Sequence, residues 1–381
     1  MRQVDLILMH GRTGASEVER LVDDARAAIT LDLTERALAS GAFATIVVST
    51  NDRLVAETLS GRSSVVVELD PQGEAFHFGR RLQALIAKHR LERVVYMGGG
   101  SAPLLTVDGL RELADRVRTA DRLFVANNFY SVDFCAFTPA SALLEVDPPG
   151  KDNELGWLLS RAGGLPAHEL PRTTATMLDI DTPAELLILS MHPGVSPRTR
   201  AYLDGLTLDR TRIEVASSIF TQRQGQALIA GRVSSKTMAY LEKESACRTR
   251  VFSEERGMRA DGRMERGEVR SLLGMHMQTV GMERFFQEVL PELGQAAFLD
   301  DRAMWVHCGA WPPPSDRFNS DLLDAAAIAD PFLRRFTEAA LTCPIPLVLG
   351  GHTLVSGGLY VLIEAAWARS EMDVPRAVKL G

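Results

Sequence analysis

The chain has 381 residues, 46% of them hydrophobic and 24% charged, a mixture that suits a globular protein and excludes a disordered or fibrous one. Its 42 basic and 49 acidic side chains leave a net charge of −7, which argues against a general binder of nucleic acid or of an anionic membrane. Only five of the basic residues are lysines (Lys88, Lys151, Lys236, Lys243 and Lys379), so none falls in the first 87 positions.

At about 150 residues per domain the length predicts two domains. The four cysteines, Cys135, Cys247, Cys308 and Cys343, form no CxxC pair, which fits buried thiols in a reducing compartment better than a zinc site. No run reaches the roughly 18 apolar residues of a membrane helix, and the N-terminus has neither a basic n-region nor an apolar h-region. A cytoplasmic protein with no membrane or nucleic-acid partner is expected, and a homo-oligomer is compatible with the composition.

The first element is a buried strand over Val4 to Met9 that breaks at Gly11 and Gly14. Helical spacing of Val18, Leu21, Val22, Ala25, Ile29, Leu33 and Leu38 predicts a helix over 16–40, with Thr30 as a place where it can break, ending at Gly41. Strands follow at 46–48 and 65–69, a helix at about 79–89, and a strand at 93–97 that runs into Gly98, Gly99 and Gly100. Further strands are read at 123–126 and 134–137. Short apolar runs alternating with helical ones predict an α/β fold, a mostly parallel sheet covered by helices on both faces. Ligands of such sheets bind beyond the carboxyl ends of the strands, so the loops 11–14, 50–52 and 98–103 are the ones to inspect.

Two segments carry a family resemblance. Gly100-Ser101-Ala102-Pro103-Leu104-Leu105-Thr106, after a strand and before a helix, resembles the Gly-Asp-x-Pro-Leu-Leu-Thr turn of nucleotidyltransferases related to molybdenum-cofactor guanylyltransferase and 2-phospho-lactate guanylyltransferase. Asp179-Ile180-Asp181-Thr182-Pro183-Ala184-Glu185-Leu186 is similar to the (Asn/Asp)-Ile-Asp-Thr-Pro-Glu-Asp-Leu ending of the same fold. The order of glycine loop, helix, strand and Gly79-led helix is similar too, so the resemblance covers roughly residues 3 to 190.

The resemblance implies a Rossmann-like GT-A type sheet. The implied reaction moves an NMP group from a nucleoside triphosphate to a phosphorylated or hydroxylated small molecule and releases pyrophosphate, with Mg2+ at the site. It implies Gly11, Arg12, Thr13, Gly14, Gly79, Gly98, Gly99, Gly100 and Asn127 for the nucleotide, Asp179, Asp181 and Asp133 for the metal, and Arg12, Ser101 and Asp181 for catalysis. Amides of a glycine loop, a cationic side chain and one or two carboxylates are what a triphosphate with its metal needs. Two departures stand in this sequence. Ser101 occupies the place of the metal-binding aspartate, and a serine hydroxyl is a neutral, weak magnesium ligand. The lysine of the family loop has no counterpart before Lys88. A nucleotide-binding scaffold or regulatory pseudoenzyme is therefore the alternative reading.

Each motif also has a purely structural reading. Gly11 to Gly14 serves equally as a strand-to-helix turn. Three successive glycines at 98–100 point to close backbone approach to a ligand more than to a turn, because each costs conformational entropy. Asp179 and Asp181 can cap a helix over 182–190, where Pro183 suits N1. Asn127, Asn128 and Asp133 lie beside the expected cleft, where Asn is also common turn chemistry.

The second half matches no family by its residues. The polar stretch around 191–215, with Pro193, Gly194 and Pro197, divides the chain into a domain at 1–195, a linker at 196–215 and a second α/β domain at 216–381. Strands are read at 228–230, 248–252, 296–299, 304–307 and 345–349, and helices at 236–244 and about 282–290. The arginines at 256, 259, 263, 266 and 270 alternate with acidic residues, which favours a solvated connection over an anion patch. The last strand opens into Gly350-Gly351-His352-Thr353-Leu354-Val355-Ser356-Gly357-Gly358 before an apolar helix, a geometry that can receive an anion on backbone amides. Gly350, Gly351, His352 and Ser356 are the candidates of this half, His352 as a general acid or phosphate contact, and a third reading places the chemistry here.

Overall fold

The computed structural model describes residues 2–71, 73, 75–259 and 262–373. The chain divides into two compact units, one made of residues up to 14, 23–179 and 195–203, the other of residues 15–22, 180–194 and 204 onward.

The first unit is built on a seven-stranded sheet. Its strands are β1 (Asp5–His10), β2 (Ile46–Thr50), β3 (Val65–Leu69), β4 (Val94–Gly98), β5 (Leu123–Ala126), β6 (Phe134–Thr138) and β7 (Ala167–Glu169), in the order β3-β2-β1-β4-β6-β5-β7. Only β6 is antiparallel to its neighbours. Every residue of β1 and β2 is buried, the apolar run that a strand covered on both faces requires. One face packs Ile7, Val47, Tyr96, Phe124 and Phe137 against Leu82, Leu85 and Ile86 of the helix Phe78–His89.

The helix Glu17–Ser40 runs through Thr30 without a break. The reason is that the Thr30 hydroxyl is satisfied in place, donating to Arg26 O at 2.8 Å and Gly99 O at 3.1 Å. Part of the stretch read as linker is also helical, Pro197–Asp204 and Thr211–Ser217. A distant side chain caps the former: the Asp32 carboxylate accepts from Thr199 N at 2.8 Å, Thr199 Oγ1 at 2.7 Å and Arg198 N at 3.3 Å.

The second unit holds four parallel strands, β8 (Gln226–Gly231), β9 (Arg248–Ser253), β10 (Ala296–Asp300) and β11 (Leu347–Gly350), in the order β11-β10-β8-β9. Helices Ser235–Glu244 and Pro331–Leu341 connect β8 to β9 and β10 to β11. Phe286 and Trp305 meet Phe336 edge to face, with centroids 5.1 and 5.8 Å apart, inside a core that includes Leu228, Ala297 and Leu347.

The strand expected at 304–307 is instead the helix Arg302–His307. Buried Arg302 donates to Asp301 and to both oxygens of Asp321 at 2.7 Å, which fixes the chain direction after β10. The arginine-rich stretch after β9 forms turns over a small core of Met258, Val269 and Ala303. Two of its arginines pair with glutamates, Arg263 with Glu255 at 3.1 Å and Arg266 with Glu268 at 2.9 Å.

In both sheets the chain adds strands on one side of its first strand and then returns to the other side. The reversal falls between β1 and β4 in the first unit and between β8 and β10 in the second, and crevices at such reversals are where open α/β sheets bind ligands.

Candidate functional site

The loop after β1 turns its hydrogen-bond donors toward carboxylates of its own unit. Asp23 Oδ2 accepts from Thr13 N at 2.9 Å and Gly14 N at 2.7 Å. Arg12 N donates to Asn51 Oδ1 at 2.7 Å, and Asn51 Nδ2 returns a bond to Arg12 O at 3.0 Å. The Arg12 guanidinium bonds to Asp52 Oδ2 at 3.1 Å and to Asp24. Two successive amides and a guanidinium make an anion site, and here its anions are aspartates. At Gly11 an added side chain would meet open space, so the loop does not need that glycine for packing.

The turn after β4 owes its glycine to a close approach within the protein. A Cβ on Gly99 would lie 2.9 Å from both Cβ and Nδ1 of His10, so the turn presses on the end of β1. Gly98 N donates to Asp133 O at 3.1 Å, and Gly100 is buried in the same turn. Ser101 is buried, donates through Oγ to Gly98 O at 2.8 Å, and bridges to Asp179 through the backbone. Ala102 adopts a left-handed φ of 48° while its amide reaches Leu178 O at 3.1 Å. Asn127 organises the neighbouring loop, with Nδ2 on Asp133 Oδ2 at 2.7 Å and Oδ1 accepting from Asp133 N at 3.1 Å.

The structure thus gathers Gly98, Gly99, Gly100, Ser101, Asn127, Asp133 and Asp179 around one turn. Gly79 has a separate explanation. It begins a helix pressed on Pro149, where a Cβ would come within 2.4 Å of Pro149 N. Asp181 belongs to the second unit.

Among the described residues no three His, Cys, Asp or Glu side chains gather in a group that could hold a metal. Asp133 is engaged by Asn127, and the residue in the aspartate position, Ser101, spends its hydroxyl on Gly98.

Two site residues were not singled out by sequence reasoning, His10 and Asp52. Asp52 caps the helix Arg53–Leu59, accepting from Leu54 N at 2.9 Å and Val55 N at 3.3 Å. His10 is 2% exposed and its Nε2 lies 3.6 Å from Asp52 Oδ2, while neither ring nitrogen has a hydrogen-bond partner among the described residues. His10, Arg12 and the two amides hold the Asp52 carboxyl well below the usual carboxylate range. The available signal was positional: His10 and Asp52 stand at the ends of adjacent strands.

In the second unit Thr182 begins the helix Pro183–Ser190, with Pro183 at N1 and Glu185 Oε2 accepting from Thr182 N at 2.5 Å. The Asp-Thr-Pro motif is therefore used at least as a cap. A Cβ on Gly350 would lie 3.2 Å from Ala184 Cβ, and one on Gly351 3.4 Å from Thr182 Cγ2, so the glycine pair lies against this cap. Ser356 donates to His352 O at 3.0 Å in a segment where Val355 and Ser356 leave helical geometry. Burial, with Arg232 next, pushes the His352 imidazole down to about 4, so the ring is neutral at pH 7.

No family model matches the chain, and no curated protein matches it. Solved structures do match its N-terminal half. A cytidylyltransferase from Leptospira borgpetersenii is 16% identical, with a TM-score of 0.40, over 54% of this chain and 92% of that one. A CMP:2-keto-3-deoxy-manno-octonic acid synthetase, solved with CTP, is 13% identical, with a TM-score of 0.34, over 48% of this chain and 94% of its own. A Mycobacterium tuberculosis protein in complex with manganese is 17% identical, with a TM-score of 0.32, over 54% and 99%. The first half is thus distantly similar in structure to nucleotidyltransferases.

Proposed function

We propose that the N-terminal unit is a nucleotide-binding module that keeps the frame of a nucleotidyltransferase without its metal-dependent transfer step. One observation carries this reading: Asp23, Asp24 and Asp52 occupy the Thr13 and Gly14 amides and the Arg12 guanidinium, the donors that a triphosphate would need. The motif resemblance around Gly100 to Thr106 supports a nucleotide as the ligand. The Ser101 hydroxyl, turned onto Gly98 O, supports the loss of a metal ligand.

In this reading Arg12, Thr13 and Gly14 are contacts that a phosphate gains only by displacing Asp23 and Asp24. Gly98 to Ser101 with Asn127 shape the crevice between β1 and β4. The test is calorimetric titration of the full chain with each of the four nucleoside triphosphates, beside a pyrophosphate-release assay with magnesium and candidate phosphorylated or hydroxylated acceptors. Binding without pyrophosphate release is the expected result. Asp23→Asn should tighten binding about tenfold, because a charge-assisted contact worth at least 1.4 kcal/mol no longer competes with the phosphate. Absence of binding by all four nucleotides, in the parent and in Asp23→Asn alike, ends the proposal.

The second reading is a working enzyme that transfers an NMP group, with Arg12 and Ser101 in catalysis. The continuous resemblance of the Gly-Ser-Ala-Pro-Leu-Leu-Thr turn favours it. Pyrophosphate release lost in Ser101→Ala would establish it.

A further inference from the structure

The crevice between β8 and β10 in the second unit has features of a site that the first-unit reading does not use. At its floor, β8 ends at Gly231, whose φ is +120° and where a Cβ would come within 2.5 Å of both Cβ and O of Asp300. Only glycine lets the two strand ends close to this distance. The next residue, Arg232, folds back on the same carboxylate. Its Nε and Nη2 reach Asp300 Oδ2 and Oδ1 at 2.6 and 2.9 Å, and its amide reaches Oδ2 at 3.1 Å. Asp300 is fully buried and aims the guanidinium, whereas the arginine keeps part of its surface and its Nη1 has no hydrogen-bond partner among the described residues.

Two further groups stand at the neighbouring strand ends. His352 follows the glycine pair at the end of β11, the strand beside β10. Arg256 lies on the turns after β9, three residues beyond Ser253, and is exposed. Arg232 and Arg256 both act on His352 to disfavour its imidazolium, while Asp300 and Asp181 oppose them. Strand register brings these ends together: Gly231 lies beside Ser253 of β9, and Asp300 beside Gly350, two residues before His352. A planar guanidinium fixed by a buried carboxylate is pre-organised for a second, bidentate oxyanion.

We propose that this edge is a binding site for a small molecule bearing a phosphate monoester or other tetrahedral oxyanion. Arg232 and Arg256 receive the oxyanion, His352 hydrogen-bonds to it, and Asp300 is the positioning residue of Arg232.

The test follows the eight histidine ring signals of the full chain by NMR while inorganic phosphate is added, against sodium chloride of equal ionic strength. His352→Gln assigns the His352 signal. The expected result is a saturable shift of that signal, with Kd of about 1 mM or tighter, and an upward move of its titration midpoint when phosphate is bound. Arg256→Met, an exposed change that should leave the fold intact, weakens binding at least tenfold, and Arg232→Lys weakens it while retaining a charge. Arg259→Met, on the same stretch, leaves the affinity unchanged. The proposal is overturned if phosphate leaves the His352 signal where chloride does, or if Arg256→Met and Arg259→Met bind alike. A shift confined to His10 overturns it as well and assigns the anion to the first unit.

Discussion

At the carboxyl edge of the seven-stranded sheet, Asp52 has His10 beside it and accepts from Arg12, Leu54 N and Val55 N, so its charged form is favoured. In the second unit Glu185, Asp301 and Asp321 are fully buried, and burial pushes the carboxyl of each up, Glu185 to about 8. The difference lies in the ratio of donors to carboxylates. The first unit surrounds one aspartate with several N–H groups. The second shares Arg302 between Asp301 and Asp321 and leaves Asp301 Oδ2 and Glu185 Oε1 without a hydrogen-bond partner among the described residues. Depth of burial alone does not set the state of a carboxylate, because local donors can outweigh desolvation.

The strongest way to break this comparison is Arg302→Met. It removes the one cation between two buried aspartates and should cost about 3–5 kcal/mol, as loss of one partner of a buried pair does. Urea denaturation followed by tryptophan fluorescence reads the change, since Trp305, Trp311 and Trp367 all lie in the second unit. A midpoint equal to that of the parent would mean that the aspartates are neutral and the arginine dispensable.

Two glycines test the crevices next. Gly231→Ala would push a Cβ to 2.5 Å from the Asp300 backbone at a positive φ, a cost of roughly 2–4 kcal/mol. Gly99→Ala would meet His10 Cβ and Nδ1 at 2.9 Å and its Cα at 3.0 Å, without the added strain of a positive φ, so about 1–3 kcal/mol is expected. Thermal denaturation of the two variants should rank them in that order, and equal losses would show that the positive φ at Gly231 adds no strain.

A further test is the slope of stability with pH. Glu185 has an ordinary value of 4.5 and about 8 in the fold. Between those values the folded chain holds a proton that the unfolded chain has lost. Its contribution is therefore full below pH 4.5 and declines as pH rises to 8. Glu185→Gln should flatten the urea midpoint over that window relative to the parent. Asp52 acts with the opposite sign, its stabilisation being lost as pH falls below the ordinary carboxylate range, so Asp52→Asn should flatten the acid limb. Parallel pH profiles of Glu185→Gln and the parent would remove the contrast between the two units.

Much of the sheet was legible because buried strands are short, apolar and ended by glycine or polar turns. The runs at 65–69 and 123–126 coincide with β3 and β5. The strand expected at 304–307 failed because Met304, Trp305 and Val306 form an apolar run too short to show a period, and the buried Arg302 pairs decide its geometry. The short strand β7 went unread because only Ala167 to Glu169 pair, and they carry no apolar signal. Within the site, the glycine loops and the Ser101 departure could be read directly. Asp23 and Asp24 could not, since on a helical pattern they read as solvated charges, and only the fold turns Asp23 onto the loop amides.

By itself the sequence determined the alternation of strands and helices, the loops at the strand ends, and the presence of Ser101 and the absence of lysine before Lys88. These follow from local periodicity and residue chemistry, which need no long-range contact. Tertiary structure alone decided what faces each charge. Asp32 caps a helix 167 positions away, Asp300 aims Arg232 from 68 positions away, and Arg12 is held by Asp52 from 40. Hydrogen-bond geometry acts across space and is indifferent to sequence distance, so the state of both crevices could be read only once the sheets had brought those residues together.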